Sequence, residues 1–320
     1  MTMTPRVVIA GASGFIGDAV ARDYADRGWQ IVTIGRRGPV AWSDETAVAE
    51  AVDGADTLIN LAGRSVNCRY TAKNRAEILS SRVDTTRQLN AAVRNATHAP
   101  RLWLNASTAT IYRHATDRPQ TESGGEIGTR FSEQVAAAWE SALFDGDLPG
   151  TRRVALRLSI VFGAGGGALP PITRLARLGL GGPQHDGPWL STPARRAART
   201  DLPPGAPGGH QMVSWIHIDD VIAALRFLDA RDDIAGAVNI TAPHPVDNRT
   251  FMRQVRHRLG RPIGLPSYRF MLEPAMAVLR TEPELVLKSR WVLPERLEAA
   301  GFAFTHPDLD EALASILNRP

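Results

Sequence analysis

The 320-residue sequence predicts an α/β fold, with a doubly wound parallel sheet and a smaller C-terminal lobe. Three observations predict it. Short runs that are apolar on both faces alternate with longer amphipathic segments, a glycine-rich turn follows the first apolar run, and the alternation stops near residue 164. Strands of a parallel sheet are apolar on both faces because helices cover both sides, and right-handed crossovers put the helices there.

The first half of the chain alternates strand and helix patterns. Gly28 ends the first helix, since glycine readily adopts the left-handed conformation that terminates helices. In chain order, the predicted elements are a strand at Val7–Ala10, a helix at Phe15–Arg27, strands at Ile31–Ile34 and Thr57–Leu61, a helix at Lys73–Arg94, a strand at Leu102–Asn105, a helix at Phe131–Leu143 and a strand at Arg153–Ile160. Residues 1–164 therefore form the predicted sheet domain.

The pattern becomes irregular beyond this domain. An arginine-bearing helix ends near Gly179, and residues 183–209, with six prolines and four glycines, predict a mobile loop. Val213–Asp220 predicts a short strand that leads into a helix ending at about Leu228. Val238–Ile240 predicts the last strand of the sheet. Residues 213–242 thus complete the sheet domain, whereas residues 165–212 and 243–320 form the smaller lobe.

The composition excludes several classes of protein. Hydrophobic residues make up 43% of the chain, enough for a sizeable core. No apolar run approaches the ~20 residues of a membrane span, and no signal-peptide pattern is present, so we expect a cytoplasmic protein without a membrane partner. Cys68 is the single cysteine, which excludes an internal disulfide. Net charge is +4, but basic residues do not interleave with aromatics, so no nucleic-acid partner is expected.

The first turn has the pattern of a dinucleotide-binding site. It reads Gly11-Ala-Ser13-Gly14-Phe15-Ile16-Gly17, between a strand and a helix. At this place a tight turn brings backbone N–H groups and the helix N-terminus against a pyrophosphate, and glycine removes the Cβ atoms that would block it. The alternative is a tight turn without a ligand.

The end of the second strand favours NADP(H) over NAD(H). An acidic residue there accepts from the ribose 2′-hydroxyl, while arginine pairs with a 2′-phosphate. This chain has Gly35, Arg36 and Arg37, and no acid. The alternative is that Arg36 and Arg37 are solvated charges on a loop and bind no cofactor. Asn60-Leu61-Ala62-Gly63, after the next strand, has the small residues that allow close approach to the adenosine side of the cofactor.

Further motifs carry a family resemblance. With the glycine turn and Asn60–Gly63, the segments Ser107-Thr108-Ala-Thr-Ile-Tyr112 and Trp215-Ile-His-Ile-Asp219-Asp220 resemble the extended short-chain dehydrogenase/reductases, the NAD(P)-dependent epimerase/dehydratase superfamily. Four further segments resemble the atypical branch of this superfamily that is labelled epimerase-family proteins and has an extra C-terminal domain of unknown function. They are Ser81-Arg82-Val-Asp-Thr85-Thr86, Trp139-Glu140, Gly179-Leu-Gly-Gly182 and Val292–Phe302.

The resemblance implies a Rossmann-like domain that binds NADP(H), and an unidentified small carbonyl or sugar-like substrate in the smaller lobe. From the resemblance we also expect a homodimer in which the helices Lys73–Arg94 and Phe131–Leu143 form the contact between the two copies. The residues that it places along the cofactor are Gly35, Arg36, Leu61, Ala62, Glu77, Arg82 and Ile160. Arg82 can donate to a phosphate or ribose, and Glu77 can orient it or accept from a ribose hydroxyl. An exposed helical charge pattern is the alternative for this pair.

The catalytic tyrosine and lysine of the superfamily are absent. The residues four positions after the tyrosines at 24, 70, 112 and 268 are Gly28, Asn74, Thr116 and Leu272. Aligned on Trp139-Glu140, the two catalytic positions fall near Ser132 and Ala136. Without an adjacent cation, a phenol keeps a pKa near ~10 and is a poor base at neutral pH.

The remaining catalytic candidates are Ser107, Thr108 and Tyr112. Ser107 or Thr108 takes the substrate-oxygen position that the resemblance implies, and Tyr112 is the surviving phenolic acid or else a packed aromatic. We assign His217 and Asp219 to structure: Asp219 caps a helix and His217 bonds the backbone. No metal site is expected. The sequence therefore predicts an NADP(H)-dependent oxidoreductase or epimerase-like enzyme, with a catalytically degenerate sensor or scaffold as the alternative.

Overall fold

The structure is a computed structural model, and it describes residues 4–36, 38–202, 205 and 207–317. Strands and helices alternate up to residue 158 as the sequence predicts, with two additions. The elements are β1 (Arg6–Ala10), α1 (Phe15–Asp26), β2 (Gln30–Gly35), β3 (Val40–Ala41), α2 (Glu45–Val52), β4 (Thr57–Asn60), α3 (Ala72–Asn95), β5 (Leu102–Thr108), α4 (Phe131–Leu143) and β6 (Arg152–Leu158). The additions are β3 and α2, each too short for a periodic pattern to stand out.

The remainder of the chain is built from shorter elements. They are β7 (Ile160–Gly163), β8 (Gly166–Gly167), α5 (Leu169–Arg177), β9 (Gln184–His185), α6 (Pro193–Ala197), β10 (Met212–Val213), β11 (Trp215–His217), α7 (Ile218–Asp229), β12 (Gly236–Ile240), β13 (Val246–Asp247), α8 (Asn248–Arg258), β14 (Ser267–Tyr268), α9 (Arg269–Val278), α10 (Glu284–Leu287), α11 (Glu295–Ala299) and α12 (Leu309–Leu317). None of the described helices is long and apolar enough to cross a bilayer.

The main sheet is parallel and doubly wound. Its described strands lie in the order β12-β6-β5-β4-β1-β2-β3. The order reverses beside β1, where Ala10 pairs with Ile34 of β2 on one side and with Asn60 of β4 on the other. In open α/β sheets, ligands bind outside the carboxyl ends of the strands at such a reversal. The glycine turn and Asn60–Gly63 both lie at this point.

The two faces of the sheet are covered by different helices. Along β1, Val7 and Ile9 face the layer of α1 and α7, while Val8 and Ala10 face the layer of α2 and α3. All four side chains are fully buried. This alternation explains why the strand reads as a continuous apolar run. The doubly wound prediction is confirmed.

The predicted strand Arg153–Ile160 is two strands. Ser159 ends the run in the main sheet by donating its N–H to Ile240 O, and β7 then pairs with β11 in a separate three-stranded sheet. Phe162 of β7 stacks on Trp215 of β11 at a ring distance of 6.2 Å and on Phe251 of α8 at 5.4 Å. This aromatic stack is the centre of the core that also contains residues of α5 and α12.

The described part of the proline-rich segment is mostly without regular structure, but its side chains pair with residues of α9. It contains β9, α6 and a 3-10 turn at Pro207–Gly209, while residues 203, 204 and 206 lie outside the described residues. Asp186 accepts from Arg269 at 3.0 Å, and Arg195 donates to Glu273 at 2.9 Å. The composition carries no information on these distant charge partners, and the mobility of the segment stays a prediction.

Candidate functional site

The three glycines of the first turn have three different environments. Gly11 has a φ of +84°, and a Cβ there would lie 2.7 Å from the Leu61 carbonyl carbon. A Cβ on Gly17 would lie 2.3 Å from Gly11 O, so glycine lets α1 pack on the turn. A Cβ on Gly14 meets no atom closer than 3.6 Å. Gly14 is therefore the position that stays open for an approaching ligand.

The N-terminus of α1 is free to bind an anion. Its N-cap is Gly14, which offers no side-chain cap to the first N–H groups of the helix. These N–H groups carry the positive end of the helix dipole and point at the turn. Ser13 lines the adjacent cleft, and Ile16 packs against the main core. The residues present thus fit a dinucleotide pyrophosphate.

A cleft of about 590 Å³ lies between this turn and the end of β2. Among the described residues, its lining contains no acid and one cation, Arg36; the lining residues are Ala12, Ser13, Thr33, Ile34, Gly35, Arg36, Gly38 and Pro39. Arg37, also predicted to bind the cofactor, lies outside the described residues. The structure thus brings Ser13, Gly35 and Arg36 together as the sequence predicts.

Arg82 lies beside the next loop and has no carboxylate partner among the described residues. Its guanidinium donates to Ile78 O at 3.0 Å, stacks over Trp139 at 5.1 Å, and would lie 3.2 Å from a Cβ on Gly63. Burial lowers the pKa of Arg82. A half-buried cation without an anion is suited to a phosphate or a ribose hydroxyl.

Glu77 does not orient Arg82. Its carboxylate pairs with Arg64, and Lys73 lies 4.0 Å away. Glu77 and Arg82 lie five residues apart on α3, a spacing that does not bring helical side chains together, and no ion pair joins them among the described residues. The orienting role considered for Glu77 is therefore wrong, and its proximity to a ribose stays a prediction.

Other predicted cofactor residues lie on the loop after β4, at the start of α1 and at the start of β7. Asn60 orders the loop after β4, since its side chain donates to Asn105 at 2.7 Å and accepts from the Ala62 N–H at 3.1 Å. Phe15 packs against the β7–β8 glycines: a Cβ on Gly166 would lie 2.2 Å from its ring. Ile160 is half-buried at the start of β7. Direct contact of Leu61, Ala62 and Ile160 with a cofactor remains a prediction.

Ser107 belongs to a buried polar network. Its hydroxyl donates to Glu140 of α4 at 2.6 Å, and Glu140 accepts from two nitrogens of Arg157, each at 2.8 Å. The Tyr112 hydroxyl accepts from Arg157 at 2.7 Å and donates to Asn239 at 2.9 Å. We name Ser107, Glu140, Arg157 and Tyr112 the Arg157 network.

The geometry of Tyr112 favours the packed-aromatic alternative over the phenolic acid. The side chain is 1% exposed, both hydrogen-bonding directions of its hydroxyl are used, and burial raises the pKa of the phenol. A proton donor must reach its substrate, and Tyr112 faces protein on every side described. Ser107, which is 4% exposed, is enclosed in the same way.

Tyr112→Phe is expected to lower the free energy of unfolding by about 1–3 kcal/mol, because Arg157 and Asn239 each lose a buried partner. The dissociation constant of NADPH is expected to stay within about twofold. Urea denaturation and fluorescence titration measure the two effects. A loss of NADPH affinity at unchanged stability would place Tyr112 in the site instead.

Thr108 is the candidate that remains accessible. It is half-buried at the carboxyl end of β5, and its Oγ1 accepts from the Thr110 N–H at 3.1 Å. Among the described residues its own proton has no acceptor, so it can donate to a substrate oxygen. Of the three predicted catalytic residues, Thr108 has the geometry for contact with a substrate.

A second cluster of charged residues lies at the N-terminus of α4. The sequence motifs do not predict it. The Lys288 Nζ donates to Glu133 at 2.5 Å and to Thr110 O at 2.8 Å, and Arg290 donates to Thr110 Oγ1 at 3.0 Å. Ser132, near the missing tyrosine position, donates to Glu284 at 2.7 Å. We name Ser132, Glu133, Glu284, Lys288 and Arg290 the α4 cluster. The one sequence signal was the rarity of lysine, present only at positions 73 and 288.

The histidine segment before α7 is mainly structural, with one correction. His217, not Asp219, is the N-cap of α7: its Nδ1 accepts from the Asp219 N–H at 3.1 Å. The prediction that His217 bonds the backbone is confirmed. His217, Asp219 and His306 have ligand-type atoms within 4.8 Å of one another. The Nδ1 of His217 serves as the cap, and its Nε2 lies 3.3 Å from the Ser315 hydroxyl.

Comparison with known proteins places this geometry in a family. Residues 7–241 match the NAD dependent epimerase/dehydratase family. The chain belongs to that family. Residues 269–316 match a domain of unknown function, DUF1731, as the resemblance to the atypical branch implies. The fold and the family predicted from the sequence are thus confirmed, and the chain is an NAD(P)-binding epimerase-family protein.

The relatives match this chain over nearly their whole length. Epimerase family protein SDR39U1 of Bos taurus is 30% identical over 323 residues, covering 98% of this chain and 99% of the relative. YfhF of Bacillus subtilis is 27% identical, covering 97% of each chain. A crystal structure of human SDR39U1 (isoform 2) with NADPH superposes with a TM-score of 0.84 at 27% identity, covering 98% of this chain and 100% of that one.

Proposed function

We propose that this family member binds NADP(H) and exchanges hydride with a small carbonyl or sugar-like substrate, as an oxidoreductase or epimerase-like enzyme. The observation that carries the cofactor choice is Arg36, the one charged residue among the described lining of the β2 cleft. A cation without an acid at this place suits a 2′-phosphate. The human relative crystallised with NADPH supports the same choice.

Each described residue has a defined role in this proposal. The free N–H groups of the first turn of α1, which follow Gly14, bind the pyrophosphate, Arg36 binds the 2′-phosphate, and Arg82 binds a phosphate or ribose oxygen. The nicotinamide supplies hydride chemistry when bound. Thr108 donates to the substrate oxygen and orients the carbonyl carbon.

A catalytically degenerate NADP(H) sensor or scaffold is the second candidate. The residues at the catalytic positions favour it: Ser132 donates to Glu284, Ala136 is buried and has no polar group, and Tyr112 is enclosed. A screen of aldehydes, ketones and nucleotide sugars, following NADPH absorbance, separates the two functions. Turnover that falls at least tenfold in Thr108→Val supports the enzyme; no turnover despite tight binding supports the sensor.

Arg36→Ala is expected to abolish a preference for NADPH over NADH of at least about tenfold, or about 1.4 kcal/mol. NADPH affinity falls because the 2′-phosphate loses its cation, while NADH affinity stays the same. Calorimetric titration of both cofactors measures the preference. Arg22→Ala is the matched control, since Arg22 is an exposed arginine of α1 paired with Asp18. Equal affinity of the parent protein for both cofactors would contradict the proposal.

A further inference from the structure

Helix α9 of the smaller lobe has its charged face inside and its apolar face outside. Arg269 and Glu273 are 4% and 5% exposed, whereas Phe270 is 65% and Val278 83% exposed. A surface helix normally has the opposite arrangement. The helix therefore presents an unpartnered apolar face to the solvent.

Buried ion pairs fix this orientation. Arg269 donates to Asp186 at 3.0 Å and to Leu202 O at 2.8 Å, and Glu273 accepts from Arg195 at 2.9 Å. Turning the helix to bury Phe270 would expose these partners or leave them buried without a counter-charge, which costs more than the apolar contact stabilises. The outward apolar face is thus a consequence of the lobe's own packing.

The apolar face continues onto neighbouring loops. The Leu265 N–H donates to Gly179 O at 2.8 Å, which joins the loop after α5 to the loop before α9, and the Tyr268 and Phe270 rings stack at 5.8 Å. We call this apolar surface the α9 face. It consists of the exposed side chains of Leu178, Leu265, Phe270, Met271, Val278 and Leu279. Contiguous exposed apolar surface of this kind marks an interaction site.

The charge beside the α9 face is of one sign. Residues 169–182 contain no acid, and residues 248–281 contain only Glu273, which is buried. Six arginines of these segments are exposed and, within the described part of the chain, form no ion pair; they are Arg174, Arg177, Arg249, Arg253, Arg261 and Arg280. Arg177 directly precedes Leu178, and Arg280 directly follows Leu279. The occupant must therefore be apolar and anionic together.

We propose that the α9 face is a peripheral binding surface for an anionic lipid bilayer. Exposed phenylalanine, methionine, valine and leucine enter the boundary between headgroups and acyl chains, and the adjacent arginines bind the headgroup phosphates. A second copy of the chain fits worse, since symmetric pairing would bring the same arginines together. The expectation of no membrane partner rested on spanning segments and does not cover this surface.

Vesicle sedimentation tests the proposal on the full chain with NADPH present. The probes are vesicles of phosphatidylcholine alone and vesicles of phosphatidylcholine and phosphatidylglycerol in a two-to-one ratio. We expect binding to the mixed vesicles that weakens with added salt. Phe270→Ser with Val278→Ser is expected to lower the partition coefficient at least about tenfold, and Arg177→Gln or Arg280→Gln about fivefold each.

Matched controls use exposed residues of the sheet domain. Ile127→Ser removes an exposed apolar side chain, and Arg22→Gln removes an exposed arginine; both are expected to bind vesicles like the parent protein. An NADPH titration of every variant confirms that it is folded.

Three outcomes would overturn the proposal. They are no binding to the mixed vesicles, equal binding by the Phe270→Ser, Val278→Ser variant, and sedimentation-velocity dimers that this variant dissociates in the absence of lipid. If the protein does not bind the mixed vesicles, binding to polyglutamate would identify an acidic protein as the partner instead.

Discussion

Gly14→Ala is expected to lose about a hundredfold in NADPH affinity, or about 2.7 kcal/mol, and to keep the melting temperature of the parent protein. A Cβ on Gly14 meets no protein atom closer than 3.6 Å, so the fold accepts it. The same Cβ occupies the space through which a pyrophosphate approaches the α1 N–H groups. Binding is lost without a change in folding.

The flanking glycine should behave differently. A Cβ on Gly17 would lie 2.3 Å from the backbone oxygen of Gly11, so α1 must move away from the turn. Gly17→Ala is expected to lower both NADPH affinity and the melting temperature. Gly28→Ala is the control: its φ is +74° with no atom within 4 Å, so about 1 kcal/mol of stability is lost and binding is unchanged.

Calorimetric titration and thermal melting on the same four proteins separate these effects. If Gly14→Ala bound NADPH as tightly as the parent protein, the turn would be a structural feature without a ligand. A lowered melting temperature in Gly14→Ala would instead show that the turn is more tightly packed than the distances indicate.

The parts of the site that could be predicted are those made by neighbours in sequence. The turn at Gly11–Gly17 lies in the connection from β1 to α1, and Gly35–Arg36 begins the connection from β2 to β3, so a local pattern contains the geometry of each. The sheet reversal then brings the two connections together, because parallel strands share one carboxyl edge. Strand and helix periodicity was sufficient to predict that sheet.

The parts that could not be predicted depend on distant residues. Lys288 reaches Glu133 across 155 positions, and Asp186 reaches Arg269 across 83. Helix and strand periods do not encode such pairs, so the sequence gives no signal for the contact of Lys288 with Glu133 or for the contact of Asp186 with Arg269. Tyr112 shows the same limit, since its enclosure depends on Asn239, 127 residues away.

Arg157→Met is expected to lower the free energy of unfolding by about 3–5 kcal/mol, the largest stability effect that we expect from one side chain. Arg157 is the cation of the Arg157 network, and its side chain is 10% exposed. Its removal leaves the Glu140 carboxylate buried without a counter-charge and the Tyr112 hydroxyl without a donor. Urea denaturation with an unchanged m-value measures the loss.

The double variant Arg157→Met, Glu140→Leu distinguishes an unpaired charge from a loss of packing. If the buried carboxylate is the cause, removing it as well restores most of the lost stability, because apolar residues of similar volume replace a buried ion pair at little cost. Arg22→Met, which breaks an exposed pair with Asp18, is the control, with a change below about 0.5 kcal/mol. A double variant as unstable as Arg157→Met would show that the network stabilises the fold through packing. In that case the bulk of the Arg157 side chain, and not its charge, would hold Tyr112 and Ser107 in position.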